Sequence, residues 1–200
     1  MFTGIIEALG TIVSIDTVGG DRRMVFRAPG LLAGTQIGDS IAVDGVCLTA
    51  VEFGDDSFTA DLSAETLNLT TAGDWNVGGG VNLERALTPA KPLGGHMVVG
   101  HVDGIGTLLE RHEDARSTRM RFELPEALAR YVARKGSVCI NGVSLTVNDV
   151  EANRFGVNII PHTLAQTTLG GLRPGQAVNL EVDLIARYLE RLLESRNDAV

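Results

Sequence analysis

Apolar and polar residues alternate in short runs along this chain, and the runs come in two matching sets. Phe58, Ala60 and Leu62 alternate with Thr59 and Asp61, and Phe155, Val157 and Ile159 repeat the pattern further on. Val81 and Leu83 alternate with Asn82 and Glu84, and this run returns unchanged as Val178, Asn179, Leu180 and Glu181. A period of two marks a strand with one face buried, so Asn82 and Glu84 are expected on its polar side. Asp44-Gly45 and Asn141-Gly142 are dipeptides favoured in two-residue hairpin turns, where positive φ is needed. About six short strands in ~90 residues predict a small closed antiparallel barrel, which removes exposed edges. Short helices interrupt it, and Pro161 suits the first turn of one, where its missing N–H would go unpaired anyway. The C-terminal stretch differs: Ile185, Leu189, Leu192 and Leu193 recur at helical spacing, with Arg187, Glu190, Arg191 and Glu194 between them.

The two sets are a duplication. Residues 38–85 match 135–182 at a constant offset of 97 without a gap, and 16 of these 48 pairs are identical. Unrelated sequences of ordinary composition would match at about one position in seventeen. Met1, Gly4, Gly10 and Thr11 return at an offset of 96 as Met97, Gly100, Gly106 and Thr107, so one residue has been gained or lost in between. A period this long is a duplicated domain, since solenoid repeats run ~20–50 residues. The joint lies in the stretch Thr88-Pro89-Ala90-Lys91-Pro92-Leu93-Gly94-Gly95, where prolines and glycines interrupt any regular element.

Composition narrows the class. The 200 residues are 44% hydrophobic and 21% charged with a net charge of −8, which reads as a soluble globular chain. Arginine and lysine are scattered among 25 acids, and a phosphate-tracking surface needs them clustered; only 9 residues are aromatic, so stacking platforms are few. A nucleic-acid-binding barrel is therefore not expected. No apolar run reaches the length of a membrane span, and the start lacks the cationic and apolar regions of a secretory signal. Two cysteines, Cys47 and Cys139, make no disulfide scaffold, and a cytoplasmic protein with reduced thiols is expected.

Duplicated positions with unlike side chains are the candidates for chemistry. Gly45-Val46-Cys47-Leu48-Thr49 returns as Gly142-Val143-Ser144-Leu145-Thr146, and Glu65-Thr66-Leu67 returns as His162-Thr163-Leu164. Two pockets of one shape with different reactive groups would look like this; so would a hairpin turn and its inner face. A lone cysteine is more often a small buried apolar residue than a nucleophile. His101 occupies the second-copy position of Ile5, so it is either a base or a hydrogen-bonded barrel residue. Lys135 opens the second copy's hairpin where the first has Gly38. His96 and His101 are five apart, which suits neither a helical pair nor one strand face, so no metal site is expected. Gly78-Gly79-Gly80 matches no phosphate or dinucleotide loop.

Taken in order, four motifs on a duplicated chain resemble the riboflavin synthase family over essentially the whole length. They are Met-Phe-Thr-Gly-Ile at the start, Gly94-Gly95-His96-Met97-Val98-Val99-Gly100-His101, Gly142-Val143-Ser144-Leu145-Thr146-Val147, and Ile160-Pro161-His162-Thr163-Leu164 with Thr167-Thr168-Leu169. The resemblance implies an all-β chain of two tandem homologous six-stranded Greek-key barrels, residues 1–90 and 96–184, with a C-terminal helix at 185–200 that builds a homotrimer. It implies a dismutation in which one 6,7-dimethyl-8-ribityllumazine gives a four-carbon unit to a second, without metal or redox cofactor. The products are riboflavin and 5-amino-6-ribitylamino-uracil. It also brings in lumazine synthase as a further partner.

By the same resemblance, the first barrel's substrate contacts fall at Gly4, Ile5, Ile6, Cys47, Leu48, Thr49, Asp61, Leu62, Ser63, Ala64, Glu65 and Thr66. The second barrel's fall at Gly100, His101, Val102, Lys135, Ser144, Leu145, Thr146, Ile159, Ile160, Pro161, His162, Thr163 and Leu164. Cys47, His101, Ser144 and Thr146 are the candidates for catalysis. The family places its working site between the first barrel of one subunit and the second barrel of its neighbour. Asn141 stands where some members carry Asp, so no acid can be invoked there. A different class stays open: lumazine-binding fluorescent proteins resemble this family too and hold a chromophore without turning it over. Which barrel holds the donor also stays open.

Overall fold

The computed structural model describes residues 1–197 of the chain. Six strands form the first barrel: β1 (Ala8–Val18), β2 (Asp21–Arg27), β3 (Ser40–Val43), β4 (Val46–Phe53), β5 (Ser57–Leu62) and β6 (Gly80–Arg85). The second barrel repeats them as β7 (Gly104–Asp114), β8 (Ser117–Glu123), β9 (Ser137–Ile140), β10 (Val143–Glu151), β11 (Arg154–Ile159) and β12 (Ala177–Val182). Each sheet is antiparallel and closes on itself, in the order β1-β2-β5-β4-β3-β6 and its copy β7-β8-β11-β10-β9-β12. The change of offset falls between the second and third strands. There the first copy has residues 28–39, and the second has 124–136 with a short 3-10 turn at Glu126–Tyr131. Helix α1 (Ala64–Leu69) follows β5, α2 (Pro161–Gln166) follows β11 with Pro161 in its first turn, and α3 (Leu184–Asn197) closes the described chain.

Each barrel has its own core built from equivalent residues. Phe26 stacks on Phe58 at 5.2 Å between centroids, and Phe122 stacks on Phe155 at 5.6 Å. All four are fully buried, as are Met24 and Leu83 in one core and Leu108 and Ile140 in the other. Burial of each such side chain contributes roughly 1.5–3 kcal/mol against leaving it in water. The β3–β4 and β9–β10 hairpins turn in two residues, with φ of 43° and 80° at Asp44 and Gly45 and of 46° and 80° at Asn141 and Gly142. These turns pack against each other so closely that a Cβ on Gly45 would lie 2.7 Å from the Gly142 nitrogen. Glycine is therefore needed here twice over, for conformation and for space.

One expectation is corrected. Asn82 and Glu84 alternate with core residues but do not face water: each is 1% exposed. Their face of β6 is covered by the second barrel and by the N-terminal segment. Asn82 Nδ2 donates to the Asn141 carbonyl at 2.8 Å and to Thr168 Oγ1 at 2.9 Å, and Oδ1 accepts from the Thr168 amide at 2.7 Å. Asn179 reciprocates, donating to the Asp44 carbonyl at 2.9 Å and accepting from the Thr71 amide at 2.8 Å. The seam between the barrels is thus a pseudo-twofold hydrogen-bond network.

The two segments that precede the barrels are exchanged across this seam. Phe2 and Val98 form a bridge in which each amide donates to the other's carbonyl, at 2.6 and 3.2 Å. Beyond it the Gly4 carbonyl accepts from the Ser144 amide on β10, and the Gly100 carbonyl accepts from the Cys47 amide on β4, both at 2.8 Å. Each leading segment therefore lies along the barrel that it does not precede.

Candidate active site

Strand β4 sets Cys47 and Thr49 on its outer face and Leu48 in the core, because successive side chains point to opposite sides. Cys47 is half-buried and Thr49 exposed. The register of β4 with β5, continued from Ala50 opposite Ala60, brings Thr49 beside Asp61. Asp61 is held by Arg23 through two bonds of 2.7 Å, and this guanidinium keeps its carboxyl below the usual range. Leu62 points into the core. Ser63 then caps α1, its hydroxyl accepting from the Thr66 amide at 3.2 Å and lying 3.1 Å from Thr66 Oγ1, while the Ala64 amide donates to Asp21 at 2.9 Å. Glu65 is exposed on the first turn.

On β10 the copy places Ser144 half-buried and Thr146 exposed, with Leu145 packed against the second core. Ile159 lies in that core, Ile160 is exposed ahead of α2, and Pro161 and His162 are exposed on its first turn. Thr163 and Leu164 are half-buried. Lys135 is exposed with a φ of 67°, a left-handed conformation that its counterpart Gly38 adopts at 93°. A lysine held there is strained in a way that a glycine is not.

The grouping expected from the sequence is reversed in one respect. Gly4, Ile5 and Ile6 lie with the second barrel, where Ile6 packs on the core and Gly4 meets Ser144. Gly100, His101 and Val102 lie with the first, where Val102 packs on the core and Gly100 meets Cys47. Repetition gives the equivalence of two segments, not the barrel on which each one sits. Cys47, Thr49 and the backbone leading to His101 are brought together as one face; Ser144, Thr146 and the backbone leading to Ile5 form the other.

His96, discounted as a metal ligand, has a different place. Its Nδ1 lies 2.7 Å from Ser144 Oγ, and its Nε2 is buried without a hydrogen-bond partner. Burial pushes the imidazole pKa down, against a smaller upward pull from Asp183, so the ring is neutral at pH 7. Forty-eight residues separate the pair in sequence, so no local spacing could reveal it. Two clefts lie away from most of these residues, and of the face residues His101 alone lines either of them. One of about 690 Å3 lies between the barrels against Asp44, Asn141, Thr71 and Thr168. Another of about 530 Å3 lies under α3 against Met1, His101, Glu181 and Tyr188. Asn141, where the family resemblance raised the question of an acid, serves the seam: its Oδ1 accepts from the Asn179 amide at 2.7 Å. Among the described residues no group of three or more His, Cys, Asp or Glu is placed to hold a metal ion, and no helix is long and apolar enough to cross a membrane.

Both repeats match the model of the lumazine binding domain, at residues 3–86 and 99–183. A riboflavin synthase of Photobacterium phosphoreum is 46% identical over 194 residues, covering 96% of this chain and 89% of its own. The chain belongs to the riboflavin synthase family. The riboflavin synthase of Mycobacterium tuberculosis is 45% identical over 199 residues, covering 98% and 99% of the two chains. Relatives of that name over nearly full length make this chain an enzyme of the riboflavin synthase type. Two crystal structures of LumP superpose on it. The complex with 6,7-dimethyl-8-(1'-D-ribityl) lumazine has a TM-score of 0.82 at 26% identity, covering 91% of this chain and 99% of LumP. The riboflavin complex has a TM-score of 0.85 at 27% identity with the same coverage. The matched domain spans leave α3 outside them, so the helix is an addition to the lumazine-binding repeat.

Proposed function

We propose that the chain catalyses the dismutation of two 6,7-dimethyl-8-ribityllumazine molecules, one donating a four-carbon unit to the other, to give riboflavin and 5-amino-6-ribitylamino-uracil. The observation that carries this reading is the pair of equivalent faces with unlike side chains. One frame is offered twice, and within it Cys47 stands against Ser144, and His101 against Ile5. Two copies of one substrate call for two copies of one pocket, whereas donor and acceptor must be handled differently. The acceptor ring needs a nucleophile against its electrophilic carbon. The donor needs its ring methyl deprotonated and the resulting charge spread through the heterocycle. Orientation supplies much of the gain, since aligned partners recover up to ~7–11 kcal/mol of bimolecular entropy. With so few aromatics, backbone N–H and C=O groups and hydroxyls grip the rings.

The contacts proposed on the first face are those of Cys47, Thr49, Asp61, the Ser63–Thr66 turn and Gly100–Val102. On the second they are Lys135, Ser144, Thr146, the Ile160–Leu164 turn and Gly4–Ile6. Both faces are open in the single chain, and α3 presents Ile185, Leu189 and Leu192 at 62%, 56% and 65% exposure. These facts support a homotrimer in which α3 packs on its copies and the first face of one subunit closes on the second face of its neighbour, and the cytoplasm is its proposed compartment. Incubating the purified chain with the lumazine and following riboflavin absorbance tests the function. Riboflavin without added metal or redox cofactor is the expected result; tight binding without turnover would make the chain a carrier instead.

A further inference from the structure

Each face borrows one wall from the segment that leads the opposite barrel, and a buried carboxylate holds that wall. Glu84 on β6 accepts from the Thr3 amide at 2.8 Å, the Thr3 hydroxyl at 2.6 Å and the Gly4 amide at 2.9 Å. Its copy Glu181 on β12 accepts from the Val99 amide at 2.6 Å and the Gly100 amide at 2.8 Å. Both side chains are almost fully buried. A carboxylate taken out of water is costly unless its oxygens are occupied; two convergent N–H donors occupy those of each, and Glu84 also pairs with Lys91 Nζ at 2.8 Å. The segments themselves are irregular, so these bidentate anchors fix their height over the faces. The tolerance is small: a Cβ on Gly4 would meet Ser144 Cβ at 2.5 Å, and one on Gly100 would meet Cys47 Cβ at 2.6 Å.

We propose that Glu84 and Glu181 are positioning residues for the substrate face of the opposite barrel: Glu181 sets Gly100–His101 against Cys47 and Thr49, and Glu84 sets Gly4–Ile5 against Ser144 and Thr146. The proposal rests on the lumazine-binding reading above. It makes a crossed prediction that a purely structural role does not, because loss of a structural bond on β12 would harm the second barrel, where β12 lies.

The test uses the full-length chain with riboflavin as the titrated ligand. Thr146→Val weakens the second face and leaves the first to be read; Thr49→Val does the converse. Glu181→Gln keeps the volume but turns an amide N–H toward one of the two donors. At pH 8, where Glu181, pushed up to about 7 by burial, is ionised, this variant in the Thr146→Val background weakens riboflavin binding about tenfold or more, as loss of a charge-assisted hydrogen bond implies, while Glu84→Gln changes it less than about twofold. In the Thr49→Val background the two effects exchange. Glu181→Asp and Glu84→Asp, which keep the charge, recover part of each loss and carry the same comparison if a Gln variant fails to fold. Equal effects on both faces, effects on the residue's own barrel, or none overturn the proposal. Failure of the wild-type chain to bind riboflavin at all overturns the lumazine-binding reading beneath it.

Discussion

Asn82→Ala removes three hydrogen bonds across the seam and leaves the backbone bond from residue 82 to Asp44 in place. A made hydrogen bond contributes about 0.5–1.5 kcal/mol net, whereas a group left buried without a partner costs about 1–3 kcal/mol. The orphans are the Thr168 amide and the Asn141 carbonyl. Both residues line the inter-barrel cleft of about 690 Å3, so water can reach them and the cost falls short of the dry limit. The expected loss is about 2–4 kcal/mol, which for a chain of this length lowers Tm by roughly 5–15 °C. Asn179→Ala breaks two side-chain bonds rather than three and should cost less. The double variant should cost less than the sum, because the two networks meet where the Gly45 and Gly142 turns touch. Urea unfolding followed by circular dichroism measures all three, with exposed Asn68→Ala as the control. A loss within about 0.5 kcal/mol of the control for Asn82→Ala, or a larger loss for Asn179→Ala, refutes the reasoning.

Burial pushes the Asp44 carboxyl up from its usual 3.8 to about 7, against the bonds from Asn82 and Thr168. The folded chain therefore holds a proton that the unfolded chain releases; the contribution is complete below about pH 4 and is lost as pH rises through about 7. Asp44→Asn, which copies Asn141, should flatten the fall in urea midpoint between about pH 4 and 7, and an unchanged slope would contradict it. Leu189→Glu with Leu192→Glu places charge in the proposed helix contact and should give monomers that keep their β-sheet signal and lose most activity; a trimer in sedimentation excludes α3 as the assembly element. Cys47→Ser and His101→Gln should each lower kcat more than affinity, since a hydroxyl lacks the thiol's readiness to ionise and Gln cannot take a proton. Wild-type turnover in both would reduce these two residues to packing. Exhaustive chelation and dialysis should leave activity unchanged, and loss that added metal restores would end the cofactor-free reading.

The elements were legible because each is fixed by short-range chemistry. The Asp44-Gly45 and Asn141-Gly142 turns need only two positive φ values, and the Phe58-Ala60-Leu62 run needs only one buried face. The same local logic misplaced Asn82 and Glu84, since alternation shows which face differs from the core, not what covers that face. Their unchanged return as Asn179 and Glu181 was the available signal: solvent places no demand on both residue and position. The exchange of the leading segments left no local trace at all. Both barrels offer a leading segment the same kind of backbone bond, from Cys47 or from Ser144, so local sequence does not say which segment meets which barrel. Within the candidate site, Cys47 and Thr49 were readable as neighbours on one face. The contact of His96 with Ser144 was not, because it follows from that same exchange, which brings Thr3 and its bond to the His96 amide over β10.

Fusion of the two copies also bears on how unlike sites could arise. Two identical barrels related by a true twofold axis would offer two identical faces, and any side chain suited to the donor would be forced on the acceptor. In one chain the backbone frame stays common, held by reciprocal bonds of equal length from Cys47 to Gly100 and from Ser144 to Gly4. Side chains within that frame are then free to differ, as Gly38 and Lys135 do, or Asp44 and Asn141. The exchange adds a constraint: neither barrel carries a whole face, so a change in one leading segment is felt by the other barrel's site. A change suited to the donor face therefore need not stay within the donor's own barrel, and the two faces must be tuned as a pair.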